Sequence, residues 1–233
     1  MSSPRRERSV TADRRMTPDL DPDRRLILAY VPARRRAALS ALWRLDVTLG
    51  AVLATGRDPA IRQIRLAWWR EALERLDRAP PPAEPLLRAL AETALTAGVT
   101  GAELAQMEEG WALLLTPGRL GAETMMAYAE ARGATLFDLS ARLLGDTAAP
   151  DGAGARWALI DLARRTTDPQ EAADARKLAA AMSDTKEWTK GLRPLAMLDR
   201  LVELDSRSDR KALQIPGSPS RMLRLFGYRL SCY

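Results

Sequence analysis

The chain has 233 residues, a formal net charge of +6 and a pI of about 10.0, and it is long enough to form one sizeable core. It contains no histidine and one cysteine, Cys232, which excludes histidine acid–base chemistry, Ser–His–Asp triads, histidine-liganded metals, an internal disulfide and a thiolate cluster. The arginines are interspersed with acidic residues and no nucleic-acid recognition motif is present, so nucleic acid is not an expected partner.

The first segment, MSSPRRERSVTADRRM, is basic and lacks the apolar stretch of a secretory signal. Residues 1–20 are therefore predicted to be a disordered basic arm, and residues 21–233 a single domain. No apolar run approaches the ~20 residues of a membrane span. We expect a cytoplasmic protein, at most peripheral to the inner membrane, whose arm is attracted weakly to anionic lipid. The arm carries five arginines: Arg5, Arg6, Arg8, Arg14 and Arg15.

Proline, glycine and capping residues divide the rest of the chain into about nine predicted helices, without an alternating strand pattern. A short helix, DPDRRLILAY, is followed by a long one that ends at Gly56, a plausible C-cap. The third begins with Asp58 as N-cap and Pro59 at its first position. A capping box, Thr100 with Glu103, starts a later helix. This pattern predicts one all-α domain.

The stretch RLDVTLGAV places a single carboxylate, that of Asp46, in an otherwise uncharged apolar run. At about 100° per residue, Asp46 falls within the apolar face of its helix, and Gly50 lies beside it one turn on. The carboxylate should therefore point inward and requires a partner, because burying it unpaired would cost several kcal/mol. The apolar face consists of Ala38, Leu42, Leu45, Leu49, Val52 and Leu53.

The next helix offers Arg65 as that partner. Arg65 lies in the middle of a second apolar stripe, and in an antiparallel hairpin turning at Gly56 it would stand level with Asp46. The spacing predicts a buried Asp46–Arg65 ion pair, either a structural pair that fixes helix register or the remnant of a polar site. The stripe consists of Ile61, Ile64, Trp68, Ala72 and Leu76.

Several segments together resemble a known family. The N-terminal part of the squalene/phytoene synthase family resembles two consecutive segments of this chain, AYVPARRRAALSALWRLD and RDPAIRQIRLAWWREALERLD. The resemblance is greatest to the divergent branch of that family, which includes a mitochondrial complex I assembly factor and its bacterial relatives. AYAEARGATLFDLSARLLG resembles the central helix, GARWALIDLARRTTDP a later helix and GSPSRMLRLFGYRL the tail of bacterial members. The resemblance covers about residues 24–230. It implies a single-domain helical barrel of the trans-isoprenyl diphosphate synthase type, built around an apolar cavity.

Active members of that family join two prenyl diphosphates head to head, using two facing DxxxD motifs. Carboxylates at i and i+4 point the same way and hold the Mg²⁺ ions that bind the diphosphate. In this chain the first motif falls on Asp46 and Gly50, and the second on Asp161 and Arg165. Each motif keeps one carboxylate, and an arginine repels Mg²⁺. The spacing of Arg164 and Asp168, like that of Asp161 and Arg165, is also typical of surface helix pairs.

The degenerate motifs predict a non-catalytic family member without a cofactor, which binds a lipid-like ligand or a protein partner in the assembly of a membrane complex. The alternative is an active prenyltransferase of isoprenoid biosynthesis with an altered metal site. In that case Mg²⁺ would be its cofactor, and Arg164 and Arg165 would hold diphosphate oxygens directly. The number of carboxylates in the cavity discriminates between the two.

Overall fold

The computed structural model describes residues 19–55, 58–182, 188–206 and 214–231, with side chains up to residue 227. Within these ranges the chain is helical and forms no strand, which confirms the all-α class. Asp19 and Leu20 begin the described part, and Leu20 is buried. The predicted C-cap at Gly56, the arginines of the N-terminal arm and Cys232 lie outside these ranges.

The helices follow one another with short connections. They are α1 (Pro22–Leu28), α2 (Ala33–Ala54), α3 (Pro59–Arg75), α4 (Pro85–Thr93), α5 (Gly101–Leu113), α6 (Ala122–Tyr128), α7 (Thr135–Leu143), α8 (Ala153–Arg165), α9 (Pro169–Ala181), α10 (Arg193–Ser206) and α11 (Pro219–Ser231). A π-helical turn, Ala129–Ala134, joins α6 directly to α7, so the long helix predicted here is continuous but locally widened. Short 3₁₀ turns occupy Leu95–Ala97 and Lys190–Leu192.

The predicted helix starts are present because local capping chemistry determines them. The carboxylate of Asp58 accepts a hydrogen bond from the backbone N–H of Ala60, and Pro59 takes the first helical position. Thr100 and Glu103 exchange the two hydrogen bonds of a capping box. Asp168 caps α9 in the same manner as Asp58 caps α3.

Helix α2 runs through the centre of the bundle and packs against α1, α3, α4, α5 and α7. Its predicted apolar face is buried, except that Leu53 is half-buried. By length and composition α2 is also the one described helix able to cross a membrane, which corrects the expectation that no such run exists. More than half of its most apolar stretch is enclosed by other helices, as in the core helix of a helical bundle.

The stripe predicted to be the apolar face of α3 is only partly buried: Ala72 and Leu76 face the protein, as predicted, but the first three members do not. Ile61, Ile64 and Trp68 are exposed, whereas Leu66 and Trp69 are buried. The helix carries apolar side chains on two adjacent stripes, and it packs mainly against α5 rather than α2. A helical wheel cannot choose between two such stripes, because the choice depends on which helix lies opposite.

Two glycines bring α8 against the π-helical turn. A Cβ atom built on Gly133 would lie 2.2 Å from the carbonyl oxygen of Gly154, and one on Gly154 would lie 2.1 Å from that of Gly133. The backbones are therefore in direct contact, as only glycine allows. This crossing holds Arg132, next to Gly133, close to Asp161 on α8.

Candidate functional site

The carboxylate of Asp46 is fully buried at the centre of the bundle, pointing inward. Arg132 donates to it through two nitrogens, Nε to Oδ1 at 2.6 Å and Nη2 to Oδ2 at 2.9 Å. Arg24 on α1 donates from Nη2 to Oδ2 at 2.9 Å. The indole N–H of Trp111 on α5 completes the set at 3.3 Å from Oδ1. Four N–H groups thus surround one carboxylate.

These partners differ from the predicted one, Arg65, so the prediction of an Asp46–Arg65 ion pair is wrong. Arg65 is exposed on α3 and donates from Nη1 to the hydroxyl oxygen of Thr55 at 2.9 Å. Arg65 could reach Asp46 only if its stripe on α3 faced α2. Because α3 is turned toward α5, the space in front of Asp46 is filled by arginines from α1 and the π-helical turn.

Arg132 also reaches the second predicted motif. Its Nη1 lies 2.7 Å from Oδ2 of Asp161, and the same nitrogen donates to the hydroxyl of Tyr128. Arg165, one turn beyond Asp161 on α8, donates from Nε to the same carboxylate oxygen at 2.7 Å. One buried guanidinium therefore bridges the carboxylates of both motif positions.

We call Arg24, Asp46, Arg132, Asp161 and Arg165 the arginine–aspartate cluster. Aromatic rings enclose its guanidinium groups. The guanidinium carbon of Arg132 lies 4.1 Å from the ring centre of Trp111 and 4.7 Å from that of Trp157. That of Arg24 lies 4.8 Å from the ring centre of Trp157 as well. Cation–π contacts with tryptophan offset part of the hydration that a buried guanidinium loses.

The cluster is charged throughout. Burial alone would raise the pKa of Asp46, but the charges of Arg132 and Arg24 outweigh it and hold that pKa below its ordinary value. Asp161 behaves alike: burial opposes ionisation, yet Arg165 and Arg132 lower the pKa of its carboxyl. Burial would lower the pKa of Arg132, but Asp46 and other neighbours raise it well above the ordinary value. Three cations thus face two anions.

This arrangement does not fit Mg²⁺, the metal that the family's motifs bind. Mg²⁺ requires nearly octahedral oxygen ligands at about 2.0–2.1 Å, whereas arginine N–H groups occupy the oxygens of Asp46 and Oδ2 of Asp161. Among the residues that the structure describes, no group of three or more acidic or thiol side chains could hold a metal.

The first motif's second position is closed by packing as well. A Cβ atom on Gly50 would lie 2.7 Å from Cη2 of Trp111. The indole of Trp111 therefore fills the space where an aspartate at this position would place its carboxylate. A carboxylate cannot enter there unless the ring moves. The absence of a side chain at Gly50 is therefore what allows the Trp111 ring to pack against α2 at this point.

Two cavities flank the arginine–aspartate cluster, and Arg165 borders both. The polar one, of about 280 Å³, lies between α1, α8 and α10. The apolar one, of about 370 Å³, lies between the C-terminal parts of α2, α5 and α8. The polar cavity is lined by Arg24, Asp161, Arg164, Arg165 and Arg221 together with Leu198, Leu201 and Val202. The apolar cavity is lined chiefly by Leu53, Ala54, Trp111, Leu114, Leu120 and Leu162.

Arg164 and Arg165, the predicted diphosphate ligands, both line the polar cavity. Each already has a carboxylate partner: Arg165 binds Asp161, as its spacing suggests, and Arg164 binds Asp205 on α10. Asp168, the predicted surface partner of Arg164, caps α9 instead. An anion entering this cavity would therefore compete with existing ion pairs.

Sequence reasoning missed Arg24, Arg132 and Trp111. A signal was available for both arginines, because each interrupts an apolar stripe as Asp46 does. Arg132 follows Met125, Tyr128 and Ala129 and precedes Leu136, and Arg24 precedes Ile27, Leu28 and Val31 at helical spacing. Nothing in the local sequence marks Trp111 as a donor to Asp46.

The fold and the site together define a helical protein of the terpenoid-synthase type whose two motif aspartates face one another through an arginine. The family profile described as squalene/phytoene synthase matches residues 18–185, well over half of the chain. The chain therefore belongs to the squalene/phytoene synthase family. No curated protein and no solved structure matches the chain in the corresponding searches.

Proposed function

We propose that this chain is a non-catalytic member of the squalene/phytoene synthase family that acts by binding a lipid-like ligand. The observation that carries the proposal is the bridge from Arg132 to both Asp46 and Asp161. Ionising a prenyl diphosphate requires cations held at these positions, and the protein has fixed its own cations there. The Arg132 guanidinium cannot leave the buried site without taking a charged partner from both carboxylates.

The apolar cavity supports a lipid-like ligand. Its volume of about 370 Å³ lies within the ~300–1,000 Å³ usual for small-molecule sites. Its walls are mostly leucine, alanine and tryptophan side chains, which suit an isoprenoid or acyl chain. Arg165 stands at its border with a partly exposed side chain, where an anionic or hydroxyl head group would meet it.

A protein partner in membrane-complex assembly, as the divergent branch suggests, is a second mode of binding. The exposed stripe of Ile61, Ile64 and Trp68 on α3 favours it, because soluble helices seldom leave three large apolar side chains in a row uncovered. The prenyltransferase alternative has less support, since Arg164 and Arg165 are already paired with carboxylates.

Purified protein incubated with farnesyl or geranylgeranyl diphosphate and Mg²⁺ is expected to release no pyrophosphate and to form no longer hydrocarbon. The reason is that Asp46 and Asp161 do not provide enough free oxygens for a metal cluster. Product analysis with and without EDTA measures this directly. A longer hydrocarbon that appears with Mg²⁺ and disappears with EDTA would show that the chain is catalytic.

The apolar cavity is expected to bind farnesol or farnesyl diphosphate without any metal. Ligand binding should change the tryptophan fluorescence, because Trp111 forms part of the wall. Replacing Ala54 by tryptophan should weaken binding by about tenfold, since the lost contacts amount to about 1.4 kcal/mol. Ala54 lines the cavity and is exposed at the end of α2, so the variant should still fold.

Ala67→Trp is the matched control, because Ala67 is an exposed helical alanine on α3 that does not line the cavity. It should bind farnesol like the parent protein. Equal affinity in the Ala54→Trp variant would place the ligand elsewhere and contradict the proposed site. Inorganic pyrophosphate has no isoprenoid tail. Titration with it therefore tests separately whether a diphosphate head group binds in the polar cavity.

A further inference from the structure

The last described helix, α11, presents large apolar side chains to the outside. Leu223 is 70% exposed, Phe226 is 50% exposed, and Ile215, just before the helix, is 78% exposed. The inward side holds Arg221 and Leu225, which are 3% and 1% exposed. A surface helix ordinarily buries its apolar stripe and exposes its charges. In α11 the best-anchored side chain is an arginine, and two of the large apolar residues described, Leu223 and Phe226, lie outside.

Ion pairs hold α11 in this orientation. Nε of Arg221 lies 2.8 Å from Oδ2 of Asp23 on α1, and its Nη1 lies 2.6 Å from Oδ2 of Asp205 on α10. The backbone N–H of Gly217 donates to the other oxygen of Asp23 at 2.9 Å. The side chains of Arg221, Asp23 and Asp205 are all buried. Turning the apolar face inward would break this network and leave buried charges unpaired, at a large cost.

The charge of the same segment has one sign. Residues 210–233 contain five cationic side chains and no acidic one. Arg224, between the two apolar positions of α11, is exposed. A second copy of this surface would bring arginine against arginine, so self-association through it is unfavourable. Exposed apolar side chains with an exposed arginine between them match the boundary between acyl chains and anionic headgroups in a bilayer.

We infer that the outer face of α11, with Ile215, docks the protein on an anionic lipid bilayer. Leu223 and Phe226 enter the headgroup–acyl boundary, and Arg224 contacts lipid phosphates. This surface is distinct from both cavities and from the N-terminal arm. The inference does not depend on the proposed ligand, because no residue of the docking face lines either cavity.

The exposed stripe on α3 provides an internal comparison. Ile61, Ile64 and Trp68 are exposed to a similar extent, but an exposed acid, Glu71, stands close to Trp68 in the same surface hollow. Arg70 of α3 is bound to acidic neighbours on α3 and α5. The α3 stripe has comparable apolar exposure and an exposed arginine, Arg65, in its middle, but it also carries an exposed acid beside Trp68, which anionic lipid would repel, and it serves as the comparison surface.

Co-sedimentation of the full chain with vesicles tests the inference. Binding is expected to vesicles that contain phosphatidylglycerol, to be weak on pure phosphatidylcholine, and to decline at high salt, where charges are screened. The variant Leu223→Asp/Phe226→Asp should lose about tenfold or more in partitioning. The control variant Ile61→Asp/Ile64→Asp should stay within about twofold of the parent. Melting temperatures should be unchanged in both, because all four positions are exposed.

A chain lacking residues 1–18 separates this surface from the basic arm, and the loss caused by Leu223→Asp/Phe226→Asp should persist in it. Three results would overturn the inference. The α11 variant could partition like the parent, or the α3 variant could lose as much as the α11 variant. The α11 variant could instead abolish only a dimer seen in sedimentation velocity, with no vesicle binding by the parent.

Discussion

Replacing Arg132 by methionine is expected to lower the free energy of unfolding by about 3–5 kcal/mol. The substitution removes both of the bidentate hydrogen bonds to Asp46 and one partner of Asp161. Asp46 would remain fully buried with only Arg24 and the Trp111 indole to compensate its charge. Urea unfolding, followed by far-ultraviolet circular dichroism, measures the loss as a shift of the midpoint at constant slope.

The double variant Arg132→Met/Asp46→Leu should recover much of that loss. Removing both charges leaves apolar side chains of similar size in an enclosed site, which is often neutral or stabilising. Asp161 keeps Arg165 as its partner in this variant, and Arg24 keeps Asp21 at 3.2 Å. The interaction energy between the two positions should therefore exceed 1 kcal/mol, about the range of directly coupled residues.

Arg65→Met is the matched control for this cycle. It makes the same arginine-to-methionine change at the residue that sequence spacing predicted as the partner of Asp46. Because Arg65 is exposed and contacts only the Thr55 hydroxyl among the interactions described, its loss should stay within about 0.5 kcal/mol. A large loss in Arg65→Met, or a stable Arg132→Met protein, would mean that Asp46 is paired as the sequence first suggested.

Replacing Gly133 by alanine should destabilise the protein by about 3 kcal/mol, at the upper end of the usual overpacking range. The new methyl group would lie 2.2 Å from the carbonyl oxygen of Gly154 and 2.7 Å from Cβ of Ala158. The first contact is with backbone, so the α8 backbone would have to move away from the π-helical turn. Thermal and urea unfolding measure the loss.

Gly191→Ala is the control for this prediction. Gly191 is exposed in a 3₁₀ turn, and within the described part of the chain the nearest atom to an added Cβ is the hydroxyl oxygen of Thr189 at 3.9 Å. Its substitution should change stability by less than about 0.5 kcal/mol, or stabilise slightly through the unfolded chain. A Gly133→Ala protein as stable as Gly191→Ala would show that the two helices do not cross in backbone contact.

Much of the helical framework follows from local chemistry that the sequence shows directly. Asp58, and Thr100 with Glu103, bond to backbone groups within a few residues of themselves, so their caps could be read without knowing the fold. The inward direction of Asp46 was also predictable, because helical periodicity fixes which side chains share a face. The resemblance to the squalene/phytoene synthase family, built on the order of several segments, is confirmed. Its assignment to the divergent branch stays a prediction.

The partners of Asp46 depend on the tertiary structure alone. Arg24 and Arg132 lie 22 and 86 residues from it along the chain, and no local pattern states that α1 and the π-helical turn meet α2. Helix α3 carries apolar side chains on two adjacent stripes, and its packing on α5 decides which of them are buried. The sequence therefore determined that a buried carboxylate needed a cation, whereas the arrangement of helices around α2 decided which cations reach it. Ion pairs form between whichever groups the packed backbones bring within a few ångströms.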